Sequence, residues 1–111
     1  MSLAPELSVV GEMKTKPTQH SVQEMRRIGI RPDIIVVRGS RVLPTDTKQK
    51  MSLFTSVPVG SVISDPDVES IYQVPRLLER EGVLRPILRQ LGLRSRLSMS
   101  AWNRVAVRFT D

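Results

Sequence analysis

The feature that most constrains the fold is a pair of short β-branched segments separated by one helical segment. Ile34–Val37 is a continuous apolar run, which is typical of a parallel strand covered on both faces. Pro44–Phe54 starts with a proline suited to a first helical turn and has helical periodicity. Ser61–Ser64 is again β-branched and is followed by the turn residues Asp65–Asp67. This order predicts a right-handed βαβ unit. We therefore expect an α/β fold, a fragment of a Rossmann-like parallel-sheet domain.

Helical segments flank this unit on both sides. Thr18–Ile28 has apolar side chains at helical spacing, starts after Pro17 and is followed by Gly29, which predicts a first helix. Leu93–Leu97 is the best candidate for a linker. The C-terminal part predicts three more helices, over Val74–Glu81 and Val83–Leu91, which Gly82 and Gly92 end, and over Ser98–Thr110. The last of them carries a stripe predicted to be core or interface, formed by Met99, Trp102, Val105 and Phe109.

Met1–Val10 is interpreted as a tail, or as a segment left from cloning, that does not belong to the fold. Only two strands then remain. Because buried parallel strands need neighbours, and roughly three strands are the minimum for independent stability, two strands are too few for a stable sheet. We therefore expect the chain to be part of a larger domain.

Residue usage excludes several kinds of chemistry. The 111-residue chain has no cysteine and a single histidine, His20. These counts exclude a disulfide scaffold, a thiolate metal site, a cysteine nucleophile and a two-histidine metal site. No segment approaches the roughly 18 consecutive apolar residues of a membrane span, and the N-terminus lacks the regions of a signal peptide. We therefore expect a soluble, cytoplasmic protein that does not bind a membrane.

The charge balance points to an anionic partner. Lys and Arg number 17 against 11 Asp and Glu, a formal net charge of +6. Clustered cations of this kind can bind nucleic acid by neutralising phosphates. However, basic and aromatic residues are not interleaved in the way that stacks bases, and the aromatic residues are only Phe54, Tyr72, Trp102 and Phe109. A nucleotide, a phosphorylated metabolite or an acidic partner surface would account for the same charge, so nucleic acid is not the expected partner.

The segment Lys14–Gln19, Lys-Thr-Lys-Pro-Thr-Gln, carries the clearest chemical signal. Two cations and several hydroxyl and amide groups stand immediately before the predicted first helix. Free backbone N–H groups and the positive end of the helix dipole attract anions there, and the lysines add charge. The residues alone also fit a solvated basic loop that leads into a helix.

The same segment closely resembles CTP synthase, in the last part of that family's N-terminal synthetase (amidoligase) domain. The resemblance runs from about Gly11 to Leu93 and more loosely from Trp102 to Asp111. The motifs that carry it are Gly11–Val22, Arg26–Val36, Arg38, Lys48–Phe54, Val62–Ser64, Asp67–Pro75 and Leu77–Leu78. An uninterrupted Lys-Thr-Lys-Pro-Thr-Gln-His followed by collinear later motifs is highly specific.

The resemblance implies a reaction and an assembly. CTP synthases make CTP from UTP, ATP and glutamine: ATP phosphorylates the 4-oxygen of uracil, and ammonia from a glutaminase domain displaces that phosphate. The complete enzyme would use Mg²⁺ with ATP. Family members are homotetramers whose pyrimidine nucleotide sites form at subunit interfaces. Their synthetase domain resembles dethiobiotin synthetase, an α/β fold related to phosphate-loop ATPases.

The resemblance also implies two sets of nucleotide ligands. Lys14 and Lys16 would hold the triphosphate of UTP, or of CTP as feedback inhibitor. The full pyrimidine set is Lys14, Thr15, Lys16, Pro17, Thr18, Gln19, Lys50 and Phe54. The set that would meet the adenine of ATP, through main-chain groups, is Pro66, Asp67 and Val68. Pro66 replaces a residue that is often basic in the family, and it has no N–H to donate.

Several parts of the family pattern are absent from the sequence. It has no Gly-rich phosphate-binding loop, no carboxylates that match the family's magnesium ligands and no glutaminase cysteine. Residues 11–93 then correspond to a partial synthetase domain, and 94–111 to a terminal helix leading toward a glutaminase domain that the chain lacks. We predict that this chain holds no catalytic residue or metal ligand, binds no cofactor tightly and does not turn over UTP alone.

Two other interpretations stay open. The chain could be a noncatalytic nucleotide-binding or assembly module, or a basic nucleic-acid-binding domain. The roles of some single residues also stay open. His20 could cap or pack rather than touch a ligand, and Glu12 could be a counterion for the lysines. Arg38 and Arg41 could meet phosphate or form surface ion pairs.

Overall fold

The computed structural model describes residues 1–7 and 12–109, except the side chains of Leu7 and Glu12. Gly11 of the resemblance motif and the predicted helix end at Thr110 therefore lie outside the described residues. The chain divides into two compact units, Met1–Asp67 and Val68–Asp111. The first contains β1 (Ser2–Leu3), β2 (Glu6–Leu7), β3 (Glu12–Met13), α1 (Lys16–Arg27), β4 (Ile35–Gly39), α2 (Thr45–Thr55) and β5 (Val62–Pro66). The second contains α3 (Val74–Glu81), α4 (Leu84–Leu91) and α5 (Ser100–Val107).

A parallel three-stranded sheet organises the first unit. Its strand order is β1-β4-β5, and the β4–β5 register runs from Ile35 opposite Val62 to Gly39 opposite Pro66. Helix α2 connects the two strands, which confirms the predicted α/β fold and its βαβ unit. Each strand begins one residue later and ends two residues later than predicted, because the ladder continues through Arg38-Gly39 and Asp65-Pro66, which interrupt the apolar pattern.

The third strand comes from Met1–Val10, which the sequence predicts to be a tail. Ser2 and Leu3 pair in parallel with Val37 and Arg38, and the Ala4 N–H donates to the Arg38 carbonyl at 2.9 Å. Strands β2 and β3 then pair antiparallel. A two-residue strand is too short to show an alternating pattern, so its pairing partner alone identifies it. These residues are part of the sheet rather than a tail.

The core of the first unit lies between one face of the sheet and the two helices. Inward-facing positions of β4 alternate with half-buried ones, whereas β5 is buried at all five positions. The prediction of a strand covered on both faces therefore fits β5 better than β4. The buried apolar cluster consists of Ala4, Met13, Val22, Ile35, Val37, Leu43, Met51, Val57 and Val62.

The second unit consists of short helices, of which α3 and α4 end at glycines. Gly82 and Gly92 have φ of +78° and +64° and close α3 and α4, as the sequence predicts. The indole N–H of Trp102 donates to the Tyr72 carbonyl at 2.9 Å, and the Tyr72 and Phe109 rings stack at 4.4 Å. The apolar stripe of α5 is nevertheless largely exposed, and it is Ala106 that is fully buried there.

Within the described residues, the helices are all too short or too polar to cross a bilayer.

Candidate functional site

The N-terminus of α1 is built from the Lys-Thr-Lys-Pro-Thr-Gln segment. Thr15 precedes the helix, and Pro17 stands in its first turn, where a missing N–H costs nothing. The Gln19 main-chain N–H donates to the Thr15 carbonyl at 3.1 Å, and its side-chain Nε2 donates to Thr15 Oγ1 at 3.0 Å. The Lys14 N–H donates to the Pro5 carbonyl at 2.8 Å. The two Gln19 bonds lie within the segment, and the Lys14 bond attaches it to the loop after β1.

A cleft of about 330 Å³ opens beside this segment. Its walls come from the chain before α1, from the loop between β4 and α2, and from the first half of α2. The lining residues are Met13, Thr15, Arg41, Pro44, Asp46, Thr47 and Lys50. The cleft thus brings together Thr15 and Lys50, two predicted pyrimidine-nucleotide residues that lie far apart in the sequence. It follows the carboxyl end of β4, the position where open α/β sheets bind ligands.

The charges in the cleft are mixed, with cations in excess. Lys50 is exposed on α2, and Arg41 donates from Nε to Glu6 Oε1 at 3.2 Å. Asp46 is the one acidic residue among the lining residues, and its Oδ1 accepts the Thr47 N–H at 2.9 Å. Among the lining residues two cations face one carboxylate, although Arg41 is also paired with Glu6, which lies outside the lining. These cations, together with the Thr15 and Thr47 hydroxyls, suit a phosphate group better than a cationic or apolar ligand.

Glu6 anchors the loop that carries Arg41. The Ser40 hydroxyl donates to Glu6 Oε2 at 2.7 Å. This bond holds the pKa of Glu6 below its ordinary value of 4.5; desolvation acts in the opposite direction, and the charge of Arg41 adds to the lowering. The sequence does not predict this role, because Glu6 lies in Met1–Val10, which is interpreted from the sequence as a tail.

The other predicted pyrimidine-nucleotide residues lie outside the lining of the cleft. Lys16 and Pro17 are exposed and Lys14 is half-buried at the start of α1. Phe54 lies one helical turn after Lys50 and is 52% exposed. Thr18 is fully buried and accepts a hydrogen bond from the Ser2 hydroxyl at 2.9 Å, so its side chain has a structural contact inside the protein.

A second cavity, also about 330 Å³, lies at the carboxyl ends of the three parallel strands. Its lining residues are Leu3, Ala4, Pro5, Glu6, Arg38, Gly39, Ser40 and Asp67. Arg38 is fixed there, because it donates from Nη1 to the Asp65 carbonyl at 2.9 Å and from Nη2 to Asp67 Oδ1 at 2.6 Å. Of the three predicted adenine residues, only Asp67 lines this cavity.

In the predicted adenine loop, one main-chain N–H donor is absent and another is already hydrogen-bonded. Pro66 is buried in β5 and has no N–H, and the Asp67 N–H donates to the Gly39 carbonyl at 3.1 Å. A main-chain contact with adenine at these two residues must therefore use carbonyl oxygens unless that bond opens. Val68 begins the second unit.

The described part of the chain contains no group of three or more histidine, aspartate or glutamate side chains placed to hold a metal ion.

Comparison with known proteins finds a matching family model and several similar curated proteins. A family model described as CTP synthase N-terminus matches residues 1–93. The chain is 53% identical over 96 residues to the CTP synthase of Thermococcus gammatolerans, covering 86% of this chain and 18% of that protein. It is 50% identical over 93 residues to that of Ruminiclostridium cellulolyticum (84% and 17%) and 47% identical over 110 residues to that of Pyrococcus abyssi (98% and 20%). The chain spans about a fifth of the length of these curated relatives.

Proposed function

Because this chain belongs to the CTP synthase family, a family of ligases, we propose that its first unit binds UTP, and CTP as an inhibitor, in the cleft between Thr15 and Lys50. One observation carries the proposal. Thr15 of the Lys-Thr-Lys-Pro-Thr-Gln segment and Lys50 of α2 line a single polar cleft, although 34 residues separate them in the chain. Its volume lies at the lower end of the range of about 300–1,000 Å³ for small-molecule pockets.

The roles of the side chains follow from their chemistry. Lys50 and Arg41 would neutralise phosphate oxygens, while the hydroxyls of Thr15 and Thr47 would donate hydrogen bonds. Lys14 and Lys16 flank Thr15 and would take the outer phosphates, beside the positive end of α1. Phe54, exposed one turn beyond Lys50, would lie next to the nucleotide rather than hold it.

The complete reaction would need groups from outside this chain. In it, ATP would phosphorylate the 4-oxygen of UTP, and ammonia released from glutamine would displace the phosphate. This chain would bind and orient UTP, and Asp67 and Val68, with Arg38 beside Asp67, would contact ATP. Mg²⁺ would accompany the ATP phosphates and neutralise their charge. We therefore propose that the 111-residue chain alone forms no CTP.

We further propose a homo-oligomeric assembly, a tetramer in the complete enzyme, in the cytoplasm. Family membership supports it, together with the open position of the cleft at the surface of the unit. Nucleic acid is not needed to account for the positive charge.

The decisive experiment measures thermal stabilisation of the purified chain by magnesium-UTP and magnesium-CTP, compared with ATP and a generic oligonucleotide. A ligand that binds only the native state raises its stability by about 2.7 kcal/mol at 100 times its dissociation constant. We expect pyrimidine-selective stabilisation, absent in Lys50→Ala and retained in Arg31→Ala. Arg31 is a matched control because it is an exposed cation before β4, whereas the cleft follows the other end of that strand.

Two results would contradict the proposal. A chain that melts cooperatively but responds to neither pyrimidine nucleotide lacks the proposed site. Stabilisation by the oligonucleotide, with a steep dependence on salt, would favour the nucleic-acid-binding interpretation. The proposed inactivity has a separate assay: CTP formed by the chain from UTP, ATP and ammonia, detected by chromatography, would refute it.

A further inference from the structure

A third cavity lies within the second unit, in a region to which the proposed pyrimidine site does not extend. It measures about 310 Å³ and is lined by Val68, Gln73, Arg76, Leu77 and Arg80. The last four residues have the spacing i, i+3, i+4 and i+7, so they share one face of α3. One helix face therefore presents two guanidinium groups and one amide to the same cavity.

The polar groups of this cavity are all able to donate hydrogen bonds, and no carboxylate lines it among the described residues. The guanidinium groups of Arg76 and Arg80 form no ion pair or hydrogen bond in the described part of the chain. Guanidinium groups present several N–H donors in a planar fork that matches the geometry of carboxylate and phosphate. The side chains of Val68 and Leu77 supply apolar walls, which strengthen a charged contact by lowering the local dielectric constant.

Gln73 supplies an independent observation. Its Nε2 is buried and has no hydrogen-bond acceptor within the described residues. A buried donor without an acceptor is destabilising, and such groups in native proteins call for an explanation. The terminal torsion of glutamine is soft, so a small rotation can turn Nε2 into the cavity. An oxygen of a bound anion would then satisfy it.

We propose that this cavity is an oxyanion site, which binds a phosphate or carboxylate group through Arg76, Arg80 and the Gln73 amide. The ligand would be a small molecule, because the cavity has the volume of a small-molecule pocket rather than an extended groove. Its oxyanion could come from free phosphate, from a dicarboxylate or from the phosphates of ATP, since Val68 also belongs to the loop predicted to meet adenine. These sources share one chemistry, and titration can separate them.

The test follows the side-chain amide signal of Gln73 in ¹H–¹⁵N correlation spectra of the 111-residue protein. The signal is assigned by its loss in Gln73→Met. Sodium phosphate, succinate and ATP are titrated separately at constant ionic strength. We expect at least one of them to move the signal saturably. Free phosphate acting at least as strongly as ATP would identify a free anion, and ATP acting alone would identify the nucleotide.

The matched control is on the next helix. Arg85 and Arg89 of α4 have the same i, i+4 spacing, are exposed and do not line the cavity. Arg76→Ala/Arg80→Ala should weaken binding by about tenfold or more, as expected when charge-assisted hydrogen bonds are lost, whereas Arg85→Ala/Arg89→Ala should leave it unchanged. A Gln73 signal that none of the three anions moves, or equal weakening in both double variants, would overturn the proposal. Neither result depends on UTP binding, so this proposal and the pyrimidine site can fail separately.

Discussion

Substitution of Thr18 by valine separates a structural role from a ligand-binding role within the Lys-Thr-Lys-Pro-Thr-Gln segment. Thr18 lies in the first turn of α1, is fully buried and accepts the Ser2 hydroxyl at 2.9 Å. Ser2 belongs to β1, which has only two residues and lies at the edge of the sheet. The bond therefore connects the helix that follows the lysines to the shortest strand of the sheet.

The size of the effect follows from the hydrogen bond. Valine has a similar volume but no acceptor, so Ser2 keeps a part-buried hydroxyl that has lost its partner. A neutral hydrogen bond of this kind contributes about 0.5–1.5 kcal/mol net. We expect Thr18→Val to lower the free energy of unfolding by about 1 kcal/mol, which corresponds to about 4–8 °C in Tm for a domain of 60–100 residues.

A double-mutant cycle with Ser2→Ala, followed by urea denaturation, measures the contact directly. If the bond is real, the two single substitutions and the double substitution should show a coupling of about 1 kcal/mol. The stabilisation by UTP should persist in Thr18→Val once the lower starting stability is taken into account. Additive effects of the two substitutions would refute the bond. Unchanged stability with loss of the UTP response would show instead that the hydroxyl binds nucleotide.

Three further predictions concern the same unit. Ser56, at the end of α2, has φ of +58°, a left-handed conformation that strains a residue other than glycine. Ser56→Gly should therefore raise the free energy of unfolding by about 0.5–1 kcal/mol, as measured by urea denaturation. A lower free energy of unfolding would contradict the strain. A Cβ on Gly39 would lie 2.7 Å from Met13 Cε, the far end of a flexible side chain that can move aside, so Gly39→Ala should lower the free energy of unfolding by less than about 1 kcal/mol in calorimetry. A larger loss would show that Met13 cannot repack. The lowered pKa of Glu6 means that its contribution to stability is present above its ordinary pKa of 4.5 and is lost as pH falls through the folded value. Glu6→Gln should therefore be less stable than the parent at neutral pH, and urea midpoints should show the difference disappearing in acid.

Local sequence signals predicted most of the elements because those signals act within a few residues. Gly82 and Gly92 end their helices because a left-handed residue is needed there and glycine adopts it without strain. The β-branched runs of β4 and β5 predicted two parallel strands, although the ladder extends to Gly39 and Pro66. These features depend on backbone conformation and on spacing along the chain.

Features that depend on contacts between distant segments could not be predicted, because no signal within a few residues specifies them. Strand β1 is defined only by its pairing with β4, and nothing in Ser2–Leu3 indicates that partner. The stripe of α5 has helical periodicity, yet Trp102 and Phe109 lie at the surface of their unit around Tyr72. Periodicity predicts which side chains share a face, but not whether another element covers it.

The same distinction between local signals and long-range contacts applies to the candidate site. The sequence by itself determined the α/β class, the family and the residue types that suit a nucleotide phosphate, because these depend on local pattern and on motif. Only the tertiary structure decided that Thr15 and Lys50 share a cleft with Arg41 and Thr47, and that Thr18 is buried within the unit. The physical reason is that a cleft forms where distant segments pack around a common sheet, and their mutual orientation depends on the burial and hydrogen bonds of the whole unit.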